Sequence, residues 1–418
     1  MKIYVQVVIL GLILYTIIFY IRYKTFIKRV KKGNIQHTKK LNNHKNIIIA
    51  IPCLREQKYI EDTVKYFTKI TKNIPIIIIT TQKEIKENMK NTITTQEIVK
   101  SKILPKYKNV FLVDYPYTDG YMAHQLNYMI ENLNNILNYN IELKDTYLAL
   151  YNADSKPNKN TFNEIKSKIQ ENHKVIQQYS YCMQNYEEIS NILKGFSMYQ
   201  SNFEIKTGLI NSYLNSNLFY THIVGHGLII NMETLKGMGN FNTDFWCEDI
   251  YLGLQLKFSN IKIIPLLTLE NMETPNTLKN LVKQNSVWFK TTSQFMKIYK
   301  NILQQGQAKY KIRGLIGIFN EFRCALNWII FPIILGLAFI STIIINEYSL
   351  LLLLIISYLV YISINTKITI NIINKLDNKK YKINMNTIIN VALATAISNM
   401  GPIYSVVTNN KEKYKTER

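Results

Sequence analysis

The chain has 418 residues, of which 47% are hydrophobic, and its 51 Lys and Arg outnumber its 28 Asp and Glu, giving a formal charge of +23. This length allows two or three domains, and such a basic excess usually indicates nucleic acid or an anionic membrane as a partner. The sequence contains no zinc-finger spacing and no RNA-binding signature, which argues against nucleic acid. Its four cysteines form no CxxC pair, so a zinc site or disulfide framework of that kind is excluded.

Residues 1–22 are predicted to form an N-terminal transmembrane anchor. Positions 3–21 are nearly uncharged and just long enough to cross a bilayer. A cleaved signal peptide is the alternative, but a basic juxtamembrane linker, residues 23–45, follows where a small-residue cleavage site would be expected. From position 22 to 45 there are nine Lys or Arg and no acid. Basic clusters beside spans mark cytoplasmic segments that face anionic lipids, so we expect the next domain in the cytoplasm.

Residues 46–295 are predicted to form one soluble α/β domain with a Rossmann-like, mostly parallel sheet. Short apolar runs such as "NIIIAIPC", "IPIIIITT", "NVFLV" and "YLALYNAD" alternate with helical patterns such as "EDTVKYFTKI" and "YMAHQLNYMIENL". Runs of this length separated by helices are typical of βαβ units. Ligands of such sheets bind beyond the carboxyl ends of the strands, where Cys53, Asp114 and Asp154 fall.

Two of these strand ends carry polar motifs. In "IPCLREQKYIEDTV", residues 51–64, a strand ends at Pro52 and Glu56 precedes a helix, which suits a nucleotide pocket or an ordinary βα loop. In "YNADSKP", residues 151–157, Asp154 offers a carboxylate to a hard divalent cation such as Mg²⁺, or else makes a simple turn.

Two further motifs follow along the chain. In "VGHGLIINMETLKGMGNF", Gly225 and Gly227 flank His226 and allow close approach of a ligand, although a hydrogen-bonded structural histidine is the commoner case. In "WCEDIYLGLQL", Glu248 and Asp249 stand between a tryptophan and an apolar run. Acids also favour the first turn of a helix, so this pair has both a structural and a functional reading.

The C-terminal part is predicted to be membrane-associated. The helix-like "KQNSVWFK", residues 283–290, contains Trp288, which suits a binding site, a core or a membrane interface. Residues 296–325 are expected to be an interfacial helical segment. Residues 326–410 are expected to be transmembrane helices, with a hairpin first and then a less apolar span at 383–407. A full crossing there would place the basic tail, 411–418, outside, whereas a re-entrant segment would keep it inside.

Together these motifs resemble the membrane-bound members of glycosyltransferase family 2. The resemblance runs from residue 46 to 290 and includes the turn and helix "DYPYTDGYMAHQLNY", a D-x-D-like turn, the E-D pair and a Q-x-x-R-W-like helix motif. It implies a GT-A fold flanked by transmembrane helices. It further implies a multi-pass cell-membrane protein whose catalytic domain is cytoplasmic.

The resemblance also implies a role for each matching residue. Asp154 would bind Mg²⁺ or Mn²⁺ on a sugar-nucleotide pyrophosphate, Asp249 would be the catalytic base, and Glu248 its catalytic neighbour. The remaining candidates are donor-side Pro52, Glu56, Asp114, Gln284 and Trp288, and acceptor-side Gly225, His226, Trp246 and again Trp288.

The implied reaction agrees with elementary chemistry. An acceptor hydroxyl is a poor nucleophile, so a carboxylate must take its proton. The departing nucleoside diphosphate gathers negative charge that a divalent cation stabilises. One base and a direct displacement predict inversion at the anomeric carbon. We expect transfer of a sugar to a lipid or lipid-linked glycan, with membrane lipids but not nucleic acid as further partners.

Three positions depart from the family pattern. Asn152 replaces a frequent first acid of the metal turn, Thr80 and Thr81 end the strand where relatives often place an acid, and Val287 replaces the arginine of Q-x-x-R-W. The alternatives are therefore a polysaccharide synthase of the same family and a catalytically inactive relative that binds nucleotide sugar or acts as a scaffold.

Overall fold

The structure, a computed structural model, describes residues 1–33, 45–87, 93–215, 223–306 and 309–408. Residues 34–44 of the predicted basic linker and the whole predicted basic tail, 411–418, lie outside these residues. The strands are β1 Asn46–Pro52, β2 Ile76–Thr81, β3 Val110–Tyr115, β4 Thr146–Leu150, β5 Lys156–Pro157, β6 Val175–Gln177, β7 Ser180–Tyr181, β8 Leu228–Asn231, β9 Ile263–Pro265 and β10 Glu270–Asn271.

Helices cover both faces of the sheet and extend beyond it. The α-helices are α1 Lys2–Gly33, α2 Ile60–Thr71, α3 Gln82–Glu87, α4 Thr95–Ile98, α5 Met122–Glu131, α6 Leu133–Leu137, α7 Thr161–Gln170, α8 Asn191–Phe203, α9 Asn211–Asn215, α10 Met232–Gly237, α11 Glu248–Phe258, α12 Leu278–Lys290, α13 Phe295–Gln304, α14 Lys311–Ile344, α15 Tyr348–Leu376, α16 Met385–Ala396 and α17 Met400–Val407. Two π-helical stretches, Val99–Ile103 and Glu204–Ile210, and two 3₁₀ turns, Leu143–Asp145 and Thr291–Gln294, complete them.

Seven strands form the main sheet in the order β3-β2-β1-β4-β8-β6-β9. The first four strands are mutually parallel, and β8 runs antiparallel to both β4 and β6. The predicted α/β class with a mostly parallel sheet is therefore confirmed. A small sheet, β5-β10-β7, lies beside it. Its strands have two residues each, which is too short to produce a recognisable alternation of apolar and polar residues in the sequence.

The isoleucine-rich strands are buried on both faces. All six residues of β2 are buried, and alternate residues of β1 face opposite layers. Ile49 packs with Phe67 of α2 in one cluster, whereas Ile48 packs with Leu126 of α5 in another. A strand covered by helices on both sides needs apolar residues at every position, which explains the continuous apolar runs.

Three helices in the described part of the chain are long and apolar enough to cross a membrane: residues 2–32 of α1, α14 and α15. The first continues beyond the predicted anchor of residues 1–22 to Gly33. The predicted interfacial segment, 296–325, divides between α13 and the first turns of α14.

Polar contacts hold both ends of the group formed by α1, α14 and α15. At one end, Lys2 of α1 pairs with Glu347, which precedes α15, at 2.7 Å. At the other end, Asp377 accepts hydrogen bonds from Tyr181 and Asn158 of the sheet domain.

The predicted span at 383–407 is not one continuous helix. It forms α16 and α17, and the backbone between them is bonded to α14 through a hydrogen bond from Trp328 Nε1 to the Ser398 carbonyl, 2.9 Å. The polar break at Ser398 and Asn399 separates two helices that are each too short to cross a bilayer. Both pack on the sheet domain. A Cβ on Gly195 of α8 would lie 2.1 Å from the Asn390 carbonyl oxygen of α16, so these backbones are in close contact.

Candidate active site

A cavity of about 550 Å³ opens at the carboxyl ends of β1 and β4 and reaches α14. The structure brings ten of the eleven predicted site residues to its walls: Pro52, Glu56, Asp154, Gly225, His226, Trp246, Glu248, Asp249, Gln284 and Trp288. Asp114 does not line it. The Asp114 carboxylate instead accepts hydrogen bonds from the Thr80 hydroxyl at 2.7 Å and from the Gln82 amide. Thr80, at the end of β2, therefore binds the acid of the neighbouring strand β3.

The loop after β1 is held by Glu84, a buried residue that the sequence analysis did not single out. The Glu84 carboxylate accepts from the Arg55 backbone N–H at 2.8 Å, the Gln57 side chain at 2.9 Å and the Thr95 backbone N–H at 2.7 Å. Glu56 is fixed as well, because its N–H donates to the Thr95 hydroxyl at 2.8 Å. This network positions the loop that forms one wall of the cavity.

The turn after β4 presents Asp154 to the cavity. The Asn152 N–H donates to the Ser155 hydroxyl at 2.9 Å, so Ser155 closes the turn. Asp154 is only 3% exposed but lines the cavity together with Asn152. Across the described ranges, no group of three or more His, Cys, Asp or Glu side chains is arranged to hold a metal. One carboxylate and one amide oxygen still fit Mg²⁺ or Mn²⁺, since such ions take most other ligands from phosphate and water.

The E-D pair begins helix α11. Glu248 and Asp249 both lie in its first turn, so the structural preference for acids at that position is met. Both also line the cavity. A Cβ on Gly225 would lie 3.4 Å from Asp249 Oδ2 and 3.2 Å from the Met122 methyl carbon. Absence of a side chain at Gly225 therefore leaves space beside the Asp249 carboxylate for an incoming group.

His226 forms a buried pair with Glu270 of β10, its Nδ1 lying 2.9 Å from Oε2. Burial by itself lowers the pKa of His226, but the charge and hydrogen bond of Glu270 outweigh it and raise the pKa above its usual value. The charges of Glu204 and Asp249 act in the same direction. The His226 loop is held further by Gln177, whose amide donates to the His226 carbonyl at 2.9 Å.

Helix α12 presents three motif positions to the cavity: Gln284, Val287 and Trp288. The Gln284 Oε1 atom is buried and has no hydrogen-bond partner among the residues the structure describes. Lys290 of the same helix lies outside the lining and places its Nζ 4.1 Å from the centroid of the Trp246 ring. Desolvation lowers the pKa of Lys290. The apolar Val287 thus faces the cavity, and the nearby lysine stacks on an aromatic wall.

The end of the cavity near α14 is built largely from residues that no sequence motif marked. Phe196, Tyr199 and Phe203 of α8 form an aromatic row, and Glu321 and Trp328 come from α14. Phe289 and Trp328 make an edge-to-face contact with ring centroids 6.1 Å apart. The aromatic spacing on α8 is the one signal in the sequence that marks this wall.

Comparison with solved structures identifies the architecture. The mannosyltransferase PcManGT from Pyrobaculum calidifontis, solved in complex with GDP-Man and Mn²⁺, matches 97% of this chain and 97% of its own, with a TM-score of 0.52 and 11% identity. The chain has a GT-A-like fold. A second structure, described as a mycobacterial protein, matches 59% of this chain and 74% of its own at 11% identity, with a TM-score of 0.35. No protein-family model matches the sequence, and no curated protein matches it.

Proposed function

We propose that this protein is an inverting membrane glycosyltransferase that moves a sugar from a nucleotide-sugar donor to a lipid or lipid-linked glycan. One observation carries the proposal: a single cavity joins Asp154 and Asp249, at the edge of a parallel sheet, to Trp328 on a helix apolar enough to span a membrane. A water-soluble donor and a membrane-borne acceptor need such a shared space.

The donor end of the cavity suits a nucleotide sugar. Beyond the carboxyl ends of β1 and β4, Pro52, Glu56 and Asp154 surround the place where open α/β sheets bind nucleotides. Asp154 and the amide of Asn152 would hold Mg²⁺ or Mn²⁺, which stabilises the charge of the departing diphosphate when bound. Because the similar mannosyltransferase was solved with GDP-Man and Mn²⁺, these are the first donor and metal to test here.

Asp249 is the base in this proposal. Its carboxylate takes the proton of the acceptor hydroxyl while that oxygen bonds to the anomeric carbon and the bond to the donor phosphate breaks. The space beside Gly225 admits the hydroxyl, and Gln284 Oε1 offers a hydrogen-bond acceptor to a sugar or acceptor hydroxyl. Direct displacement inverts the anomeric centre.

The test uses purified protein in nanodiscs, supplied with GDP-, UDP- and dTDP-sugars, Mg²⁺ or Mn²⁺ and a membrane lipid extract. Wild type should release nucleoside diphosphate, and Asp249→Asn should slow this release by about 10³-fold while retaining donor binding. Asp244→Asn is the matched control, because Asp244 is exposed, lies nearby and does not line the cavity. Release at the wild-type rate in Asp249→Asn would refute its role as base.

The same assay separates the alternatives. A product that grows by many sugars would identify a polysaccharide synthase. Metal-dependent donor binding without turnover, in the presence of the lipid extract, would identify an inactive nucleotide-sugar-binding protein. Membrane orientation is tested separately, by protease accessibility of the sheet domain in sealed vesicles. The proposed cytoplasmic placement requires cleavage only in vesicles that expose their cytoplasmic face.

A further inference from the structure

The helices α16 and α17 lie behind the membrane end of the cavity. Neither of them, as described over residues 385–396 and 400–407, contributes a side chain to the cavity lining. Each packs instead on a helix that does so. Helix α16 packs on α8, which supplies Phe196 and Tyr199, and α17 packs on α12, which supplies Gln284 and Trp288. The C-terminal pair of helices therefore contacts two walls of the cavity from outside.

The contact between α16 and α8 is made at the backbone. A Cβ on Gly195 of α8 would lie 2.1 Å from the Asn390 carbonyl oxygen and 3.1 Å from the Ala394 methyl carbon. Ala394 also belongs to one buried cluster with Phe196 of α8 and Leu281 of α12. Phe196 and Leu281 both line the cavity, whereas Ala394 does not. The side chains of this wall therefore pack against α16 on the side away from the cavity.

The contact between α17 and α12 is equally close. A Cβ on Gly401 of α17 would lie 2.4 Å from the Asn285 Cβ and 3.2 Å from the Ser286 backbone nitrogen. These two residues directly follow Gln284, whose Oε1 atom is buried in the cavity wall. A side chain at position 401 would therefore push on the turn of α12 that carries Gln284.

Hydrogen bonds tie the same pair of helices to the long apolar helices α14 and α15. Trp328 of α14 donates from Nε1 to the Ser398 carbonyl at 2.9 Å. The Tyr358 hydroxyl of α15 donates to the Ala392 carbonyl at 2.7 Å. Both α14 and α15 are long and apolar enough to cross a membrane. The pair thus connects the walls of the cavity to the helices from whose side a membrane-borne acceptor would arrive.

We propose that α16 and α17, residues 385–407, form a brace that positions α8 and α12 for binding of the acceptor, with Gly195 and Gly401 as its positioning residues. Protein interiors are close-packed, so a methyl group placed between two backbones displaces one of the helices together with its wall residues. The turns of the donor end have hydrogen bonds of their own, such as that between Asn152 and Ser155. This inference rests on the proposed transfer reaction, because it names the elements that hold the acceptor in place.

The test measures the acceptor and donor parameters separately in nanodiscs. A membrane lipid extract is diluted into phosphatidylcholine, and transfer of labelled sugar from the donor that wild type uses is followed against the mole fraction of extract. Gly195→Ala and Gly401→Ala should each raise the half-saturating fraction by about tenfold, while the dissociation constant of the donor stays within about twofold of wild type. Gly336→Ala of α14 is the matched control, because no atom lies within 4 Å of a Cβ built there.

A merely structural role for the two glycines predicts a different pattern. Lower stability reduces the amount of active protein, so it lowers the maximal rate and leaves both the half-saturating fraction and the donor dissociation constant unchanged. That pattern, or an equal change in donor and acceptor parameters, would overturn the inference and leave the proposed transfer intact. Wild type that transfers no sugar to any lipid of the extract would refute the proposed transfer, and the inference with it.

A milder variant covers the case in which an added methyl group prevents folding. Ala394→Gly removes a fully buried methyl group from behind the wall and places no new atom between the helices. The half-saturating fraction should rise by about threefold with donor binding unchanged, because the wall residues then lose part of their support. An unchanged fraction in folded Ala394→Gly protein would show that α16 does not position the wall.

Discussion

The two ends of the cavity are built in different ways. The donor end consists of turns at the ends of buried strands, held by short hydrogen bonds such as those of Glu84 and Ser155. The membrane end consists of side chains on α8, α12 and α14, which meet through aromatic contacts. Strand ends fix atoms firmly, and helix faces offer broad apolar surface. The first arrangement suits a small charged donor, whereas the second suits a large apolar acceptor.

The strongest test of the donor end concerns the base. Asp249→Asn keeps the shape of the side chain but removes its basicity, so kcat should fall by about 10³-fold while donor affinity changes little. Turnover and donor binding measured on the same preparation check this. A loss of binding equal to the loss of kcat would assign Asp249 to donor recognition instead.

The metal turn should give the next largest effect. Asp154→Asn should weaken metal-dependent donor binding by roughly 10²-fold, because the turn then offers two neutral amides to the cation. Calorimetric titration with Mn²⁺ and donor measures this change. Asp145→Asn, a substitution just before β4 and outside the cavity lining, is the matched control. Equal affinity in wild type and Asp154→Asn would remove Asp154 from the metal site.

Gly225→Ala tests the space beside the base. The added Cβ would press on the Met122 methyl and approach Asp249 Oδ2, so kcat should fall by about tenfold without a loss of stability. Gly237→Ala serves as the control, because no atom lies within 4 Å of a Cβ built there. Unchanged kcat in Gly225→Ala would mean that the acceptor approaches Asp249 from another side.

The buried pair of His226 and Glu270 should make the stability of the protein depend on pH. Because Glu270 raises the pKa of His226, folding favours the protonated histidine, and this stabilisation is complete at pH values below the unfolded pKa. It is lost as pH rises through the higher folded pKa. The melting temperature of the wild type should therefore fall as the pH rises above about 6.5, the usual pKa of histidine, and should fall less in His226→Gln. Parallel curves for the two proteins would contradict a charged His226.

The smallest effect concerns the membrane end. Trp328→Phe keeps the aromatic wall but removes the hydrogen bond to the Ser398 carbonyl, so stability should fall by about 1 kcal/mol. Donor hydrolysis should be unaffected, because Trp328 lies on the wall away from the strand ends. Denaturation in nanodiscs and hydrolysis assays measure the two properties. A marked loss of donor hydrolysis would show that the membrane end of the cavity affects the chemistry at the donor end.

The sequence by itself determined the sheet domain and most of its site. Continuous isoleucine runs marked the buried parallel strands, and acids directly after such runs marked the edge where ligands bind, because strand ends and polar side chains are local features. The apolar stretches likewise marked the three long helices. Ten of the eleven predicted residues reach one cavity.

Only the tertiary structure decided the rest. Glu84 supports the loop of Glu56 from 28 residues further along the chain, and Glu270 pairs with His226 from 44 residues further along. No local sequence pattern indicates contacts between residues so far apart. Asp114 was predicted to bind the donor but does not line the cavity, and its carboxylate accepts hydrogen bonds from Thr80 and Gln82 instead. The break between α16 and α17, and the aromatic wall that Phe196 and Trp328 bring to the cavity, arise where separate helices meet. A residue's neighbours in space, rather than in sequence, set its chemistry at those points.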